Sequence, residues 1–480
     1  MTADLKPYPA MKDSGVKWLG EVPDHWGVRR LRNAAAMRVS NVDKHVKEEE
    51  EPVRLCNYVD VYKNDHISQH IDFMRATATP EEIERFRLEE GDVLITKDSE
   101  AWDDIGVPAL VTEPSDDLIS GYHLALLRPF ADELTGGYLL RALQSKGLTY
   151  QFHVEAKGVT RYGLSHVAVK SVWLPLPPLP EQAAIVRYLD HVDRRVRRLV
   201  RAKRKLIALL TEQKQGIIHR AVTRGLDPNV PLKDSGVEWL GEVPEHWEVR
   251  RVKTLFRLRI EKSGTNHGEE LLSIYTHIGV RPRKDLEQKG NKASTTDDYW
   301  IVRKGDLISN KLLAWMGAIG VSHFEGVTSP AYDILMPVVE LSSDYYHHLF
   351  RTKHCLQQFK QRSRGIMDMR LRLYFDQFGQ ILVPVPPLNE QLAIVDYYDQ
   401  ATADIDTTIA HANREIELLN EFRTRLIADV VTGKLDVRDA AANLPEEPEE
   451  IEPLDEAKIL TDDGGVMADD LDAVSEETEA

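Results

Sequence analysis

The chain reads as an α+β protein built twice over: two pseudo-twofold-related globular α+β domains separated by two long antiparallel helices that form an intramolecular coiled coil. Three observations predict this. Residues 11–31, MKDSGVKWLGEVPDHWGVRRL, return at 232–252 as LKDSGVEWLGEVPEHWEVRRV, with sixteen of twenty-one positions identical. A second motif, LPLPPLPEQAAIV at 174–186, returns at 383–395 as VPVPPLNEQLAIV. After each copy the apolar spacing turns helical over about forty proline-free residues, a rod of roughly 60 Å at 1.5 Å per residue. A repeat this long is a duplicated domain-plus-helix unit, not a solenoid. The predicted division is 1–180 for the first domain, 181–224 for the first helix, 225–389 for the second domain, 390–436 for the second helix, and 437–480 for a tail.

Within the first domain, PVRLCNYVDVY (52–62) and GDVLITK (91–97) are rich in β-branched residues and predict strands. PEEIERFRLEEGD (80–92) has the proline start and glycine stop of a helix. The second half answers in order: GDLISNK (305–311) matches GDVLITK, and Tyr345–Phe359 resembles Tyr138–Phe152. Each proline run closes a domain, because proline neither continues a helix nor donates to a central strand. The first helix then carries Ile185, Leu189, Val192, Val196, Leu199, Leu206, Leu210 and Ile217 on a four-three stagger interrupted by Lys203 and Gln213, a heptad seam. In the second, Ile394, Tyr398, Ala401 and Ile405 keep the register, which slips by one residue at Ile409 and continues through Ala412, Ile416, Leu419 and Leu426. Ile185, Leu189, Val196, Ile394, Tyr398 and Ile405 are the expected packing residues.

Charge tells the two helices apart. Residues 187–224 hold twelve bases against three acids, and 390–430 hold nine acids against three bases. Flanking charge selects partner and orientation, so the two should pack on each other within one chain. The formal net charge of −17 is concentrated at the end: 437–480 carry sixteen acids against two bases, a composition that predicts a disordered tail. Two cysteines, Cys56 and Cys355, are too few for a disulfide framework, and no apolar run is long enough to span a membrane; a cytoplasmic location is expected.

The chemistry of an active site is missing from the sequence. No Walker-type phosphate loop occurs, nor a glycine-rich dinucleotide loop after a strand, nor the Asn-Pro-Pro-aromatic motif of amino-methyltransferases. Glu155-Ala-Lys157 has the acid-x-lysine form of some nuclease sites, but such triplets arise readily by chance. His347, His348, His354 and Cys355 are of zinc-ligating types, yet the matching stretch of the first half lacks them, and no metal site is assigned. Local basic charge does recur. Before one proline run lie Arg141, Lys146, Lys157, Arg161 and Lys170 with Glu155 as their only acid; before the other lie Arg351, Lys353, Lys360, Arg362, Arg364, Arg370 and Arg372 with Asp368 as theirs. Tyr162 and Tyr374 sit among them. Clustered bases in an otherwise near-neutral domain are the footprint of phosphate contact.

The opening motif WLGEVPDHW/WLGEVPEHW, the pair GDVLITK/GDLISNK, and the exits LPLPPLPEQ and VPVPPLNEQ together resemble the specificity subunits of type I restriction–modification systems, over residues 11–436. The resemblance implies two target-recognition domains, 1–180 and 225–389, each reading one half of a split, asymmetric double-stranded DNA target, with the helices as spacer. It implies a subunit without catalysis of its own and without a directly bound cofactor. Its partners would be two methyltransferase subunits using S-adenosylmethionine, and nuclease-translocase subunits using ATP and magnesium. Base-reading residues do not carry over by motif, so the DNA candidates come from charge and place: Arg161 and Arg370 first, Lys97 and Lys311 next, then Tyr162, Tyr374, Lys157 and Arg364. Two other readings stand beside this one, a single-chain DNA-acting enzyme such as a nuclease and a structural coiled-coil scaffold.

Overall fold

The computed structural model describes residues 5–265, 268–276, 278–285, 296–365 and 371–445. Two compact units divide the chain: Met1–Lys203 with Asn413–Glu450, and Arg204–Ala412 with the end of the chain. Each therefore takes part of both long helices, Leu179–Arg224 and Leu388–Val431.

The first unit is built on a five-stranded sheet, in the order Ala35–Val39, Leu124–Pro129, Val93–Thr96, Pro108–Val111 and His66–Ile67. The second has the corresponding four strands, Phe256–Leu258, Tyr332–Pro337, Leu307–Asn310 and Ile319–Val321. In both, the acid of the Gly-Asp turn is buried and held by an arginine. Asp92 accepts from Arg128 at 2.8 and 2.7 Å, and Asp306 accepts from Arg259 at 2.8 and 3.0 Å. These pairs fix where the central strand begins.

The repeated motifs meet in space. Gly27–Arg30 of the opening motif pairs antiparallel with Trp173–Leu176 of the exit, and Glu248–Arg251 pairs likewise with Leu382–Val385. Just beyond each exit, the first acid of the long helix is locked to the opening motif. Trp26 donates its indole N–H to Glu181 at 3.0 Å, His25 lies 2.7 Å from the same carboxylate, and Tyr8 donates to it. Trp247 and His246 hold Glu390 at 2.9 and 2.7 Å. The next residue, a glutamine, ties the proline run to a domain helix. Gln182 donates to Pro177 O at 2.9 Å and accepts from the Thr135 amide at 2.9 Å; Gln391 donates to Pro386 O at 2.8 Å and accepts from the Ser342 amide at 2.9 Å. Thr135 and Ser342 are the N-caps of Gly136–Leu143 and Ser343–Phe350.

The same tryptophans receive the far end of the other helix. Gly225 follows the first long helix at φ 75° and packs on Trp247 and Pro244; Gly433 follows the second at φ 76° and packs on Pro23 and Trp26. A Cβ at Gly433 would collide with Pro23, so a close approach as well as a positive φ demands glycine there. Tyr345 donates to Val222 O at 2.7 Å and Tyr138 to Val431 O at 3.4 Å, satisfying carbonyls at the helix ends.

The helices pair antiparallel, and oppositely charged residues join them: Asp193 with Arg423 and Lys203 with Glu415 in the first unit, Lys214 with Asp406 at 2.6 Å in the second. Ile185, Leu189, Val196, Ile394 and Ile405 are buried and Tyr398 is half-buried under Lys214. The seam departs from its expected path in the middle of the first helix. Leu199 and Leu206 are exposed, and Val200, Lys203, Ile207, Leu210 and Lys214 take the inward positions, so ion pairs replace aliphatic contacts there.

Two other expectations are corrected. Residues 52–62 are not one strand: Glu51–Cys56 is extended, and Tyr58–Lys63 is a helix started by an Asn57/Asp60 capping box. The tail is not uniformly disordered from 437. Val437 and Ala441 are buried in the first unit's core, Leu444 packs against it, and Arg438–Ala442 is helical. Composition hid this, because the apolar spacing of 437, 441 and 444 sits in an acid-rich sequence. The disorder expected of 446–480 lies outside the described residues.

The shared glutamate lock gives a test. Glu181→Ala leaves the buried Trp26 N–H and Tyr8 hydroxyl without their acceptor, and should cost about 2–4 kcal/mol, read by guanidinium unfolding followed by tryptophan fluorescence. Glu181→Gln should lose less, and a loss below about 1 kcal/mol for the alanine variant would contradict this role.

Candidate nucleic-acid interface

In the first unit the central strand Val93–Thr96 ends at Lys97, and the candidate residues gather there. Lys157–Gly158 and Tyr162–Gly163 form a short hairpin that extends onto Asp98–Ser99. Leu164 N donates to Lys97 O at 2.9 Å, fastening the hairpin to the strand end. Arg161 is exposed in the turn beside Val159, which is 90% exposed. The turn requires Gly158, because a Cβ there would meet the Arg161 carbonyl.

The second unit repeats the arrangement at Lys311. Leu373 N donates to Lys311 O at 2.8 Å, and Arg364 and Arg372 exchange backbone hydrogen bonds of 2.9 Å, forming the base of the corresponding hairpin. Arg370 lies outside the described residues, in the stretch 366–370 that joins them. The contact to the lysine carbonyl aligns Leu164 with Leu373.

Other candidates fall differently. Tyr374 aligns with Ser165, not with Tyr162: both are N-caps of a short helix, and Tyr374 is 38% exposed. Lys311 donates to Pro330 O at 2.9 Å and lies 3.5 Å from Asp333; Lys97 lies 3.7 Å from Asp98. Arg364 meets Asp376 at 3.0 Å. These three bases are thus partnered within their own unit. Two bases of the recurring segments face inward. Arg141 binds Asp190 at 2.6 Å, and Arg351 donates to the carbonyls of Gly317 at 2.6 Å and Ile319 at 3.1 Å.

The structure adds aromatics to the first site. Tyr58 and Tyr62, one turn apart, stack at 5.6 Å with rings 13° from parallel. Burial raises the Tyr58 hydroxyl, while its bond to Ser99 and the nearby charge of Arg161 pull against that, which places Tyr58 beside the hairpin. Tyr62 donates to Asp104 at 2.7 Å and is pushed up to about 12, chiefly by that bond. His123 holds φ 70°, a left-handed conformation uncommon for histidine. Its Nδ1 lies 2.6 Å from Asp98, its ring 4.0 Å from Tyr122, and its carbonyl accepts from Lys97 N at 2.9 Å. Tyr58, Tyr122 and His123, with Phe73 and Met74, line a groove of about 470 Å³. Spacing of Tyr58 and Tyr62 at i and i+4 is the signal the sequence offers, and the β-branched residues of 52–62 obscure it.

The histidine cluster of the second half is held within its own unit. His347 accepts from Val321 N at 3.2 Å, His348 lies tilted against Tyr398 at 4.2 Å, and the exposed His354 stacks on His219 at 4.3 Å. Burial drives His348 down to about 4, with Arg351 and Lys214 adding to the effect. Among the described residues no three His, Cys, Asp or Glu side chains are placed to hold a metal ion, and no helix is long and apolar enough to cross a membrane.

Residues 58–208 match the family described as the type I restriction modification DNA specificity domain. A putative type I restriction enzyme specificity subunit, MjaX of Methanocaldococcus jannaschii, is 26% identical over 441 residues, covering 88% of this chain and 96% of that protein. Residues 58–208 thus carry that specificity domain, and the chain over most of its length resembles type I restriction specificity subunits. The EcoBI specificity subunit of Escherichia coli is 22% identical over 332 residues, covering 62% of this chain and 65% of its own. Among solved structures, one from a study of complex assembly and conformational transition of the type I R-M system superposes with a TM-score of 0.60 at 18% identity, over 86% of this chain and 99% of that one. That likeness is one of fold, over most of the chain. The family match at 58–208 takes in the hairpin, the strand-end lysine and the first part of the long helix.

Gly158→Ala should release the hairpin and leave the five-stranded sheet folded. Hydrogen exchange should rise at 157–164 and stay unchanged at 93–96, since local opening need not unfold a core strand; unchanged exchange at 157–164 would contradict the tight turn.

Proposed function

We propose that this chain is the DNA-specificity subunit of a type I restriction–modification complex, and that each unit reads one half of a bipartite duplex target. The observation that carries the reading is the hairpin fastened in both units to the lysine that ends the central strand. The opening and exit motifs of the frame recur in both units, while the hairpin and its surroundings differ. Arginine on a hairpin suits a major groove, where it reads guanine bidentately. The stacked tyrosines of the first unit offer planar surfaces to bases or sugars.

The subunit catalyses nothing itself in this reading. It holds two methyltransferase subunits, which bring S-adenosylmethionine, and joins nuclease-translocase subunits, which use ATP and magnesium; the long helices set the separation of the half-sites, and the complex works in the cytoplasm. Support comes from the family match and from a sequence without a catalytic motif.

Filter binding to duplex DNA, with and without the methyltransferase partner, tests this. Affinity for a target-containing duplex should fall steeply with salt. Arg161→Ala should weaken it about 5- to 150-fold, the range of one bidentate base contact of about 1–3 kcal/mol. Absence of salt-sensitive binding in either state would overturn the reading.

A further inference from the structure

His123 stands in a left-handed conformation, uncommon outside glycine, and the second unit does without it. It immediately precedes the strand Leu124–Pro129, whose first residue pairs with Thr96 of the central strand. The corresponding strand of the second unit starts at Tyr332 opposite Asn310, and the residue before it is Ala331, without a positive φ. Asp98, which follows the strand-end lysine and holds the His123 ring, has Leu312 in its place there. The His-Asp pair therefore belongs to what differs between the units, as the hairpin does. Backbone held in a sparsely populated region persists where its surroundings over-determine it, and such places cluster at binding sites.

The pair also fixes which ring nitrogen carries the proton. Nδ1 lies 2.6 Å from Asp98, and a carboxylate only accepts, so Nδ1 is the donor. The neutral ring then presents Nε2 as an acceptor, and among the described residues Nε2 has no hydrogen-bond partner. Asp98 in turn is paired with Gly163 of the hairpin, so the ring is registered to the element that carries Arg161. His123 is partly exposed and lines the groove beside Tyr58, Phe73 and Met74.

We propose that His123 is a specificity-determining residue of the first unit, its Nε2 accepting from the exocyclic amine of an adenine or cytosine in the major groove. This rests on the DNA reading above and adds to it an acceptor beside the donor Arg161. Guanine and thymine carry a carbonyl oxygen where adenine and cytosine carry the amine. An acceptor nitrogen facing that oxygen leaves both without a proton to share, and the keto base is rejected.

Methylated sites are sequenced in a host expressing the full chain with its methyltransferase partner; the half-site relaxed by Arg161→Ala is the first unit's. Wild type should admit only adenine or cytosine at one position of that half-site. His123→Gly removes the ring and suits φ 70°. It should admit all four bases at that position and leave every other position unchanged. Asp98→Asn can donate to Nδ1 and let Nε2 carry the proton, so it should admit guanine or thymine at the same position. In filter binding of the same complexes, a keto base there should weaken wild type about 5- to 150-fold, as one mismatched pair does, and the glycine variant less than about twofold. A half-site unchanged in both variants, or degraded at every position, overturns the proposal. If Arg161→Ala relaxes the half-site and His123→Gly does not, the histidine assignment alone fails. If neither alters the target, the DNA reading fails with it.

Discussion

One carboxylate at the start of each long helix, buried at Glu181 and half-buried at Glu390, fixes the junction of its unit. Glu181 and Glu390 are each held by the Trp-His pair of the opening motif, and the same tryptophan packs against the glycine that ends the other helix. Each junction thus receives the beginning of one helix and the end of its neighbour, and only antiparallel helices satisfy both junctions. The charge asymmetry is then a consequence: a basic helix beside an acidic one is stabilised along its length, where two copies of either would repel. Burying a carboxylate is tolerable because indole, imidazole and, in the first unit, a phenol all satisfy it.

Around that shared junction the two units solve the docking of their domain helices with different chemistry. The first uses an ion network in which Arg141, Arg197 and Arg423 surround Asp193. Burial alone would raise that carboxyl, and the three arginines outweigh it and hold it below the usual range. The second uses His348 on Tyr398 with Lys214 above the ring. Divergence has reached the contacts that hold the domains as well as the hairpins, while the glutamates and glycines that set the helix directions are the same in both copies.

The frame was legible because it rests on local and repeated signals. The opening and exit motifs, the GDVLITK strand and the seam residues Ile185, Leu189, Val196, Ile394 and Ile405 are read from spacing alone. What escaped depends on contacts distant in sequence. Leu199 and Leu206 fit a heptad yet lie off the seam, because Lys203 and Lys214 find acids on the partner helix. Val437 and Ala441 read as tail because nothing local says that the chain returns to the first unit, where Asp436 N donates to Lys6 O at 2.8 Å. At the candidate site, Lys157 and Tyr162 share a hairpin that is fastened to the strand end at Lys97, with Arg161 in its turn. His123 and the Tyr58–Tyr62 stack could not be foreseen, since a positive φ at a histidine and a helix after Cys56 follow from the folded surroundings. Charge alone also could not separate Arg161, which is exposed, from Arg141, which is structural.

The claim that each unit is an independent reader on a common frame is tested most directly by sequencing methylated sites. The chain would be expressed with its methyltransferase partner, in its own form and with residues 159–161 replaced by alanine. The account predicts that one half of the bipartite target is relaxed or lost while the other half and the spacing between them are unchanged. A change in both halves, or an unaltered target, would contradict it.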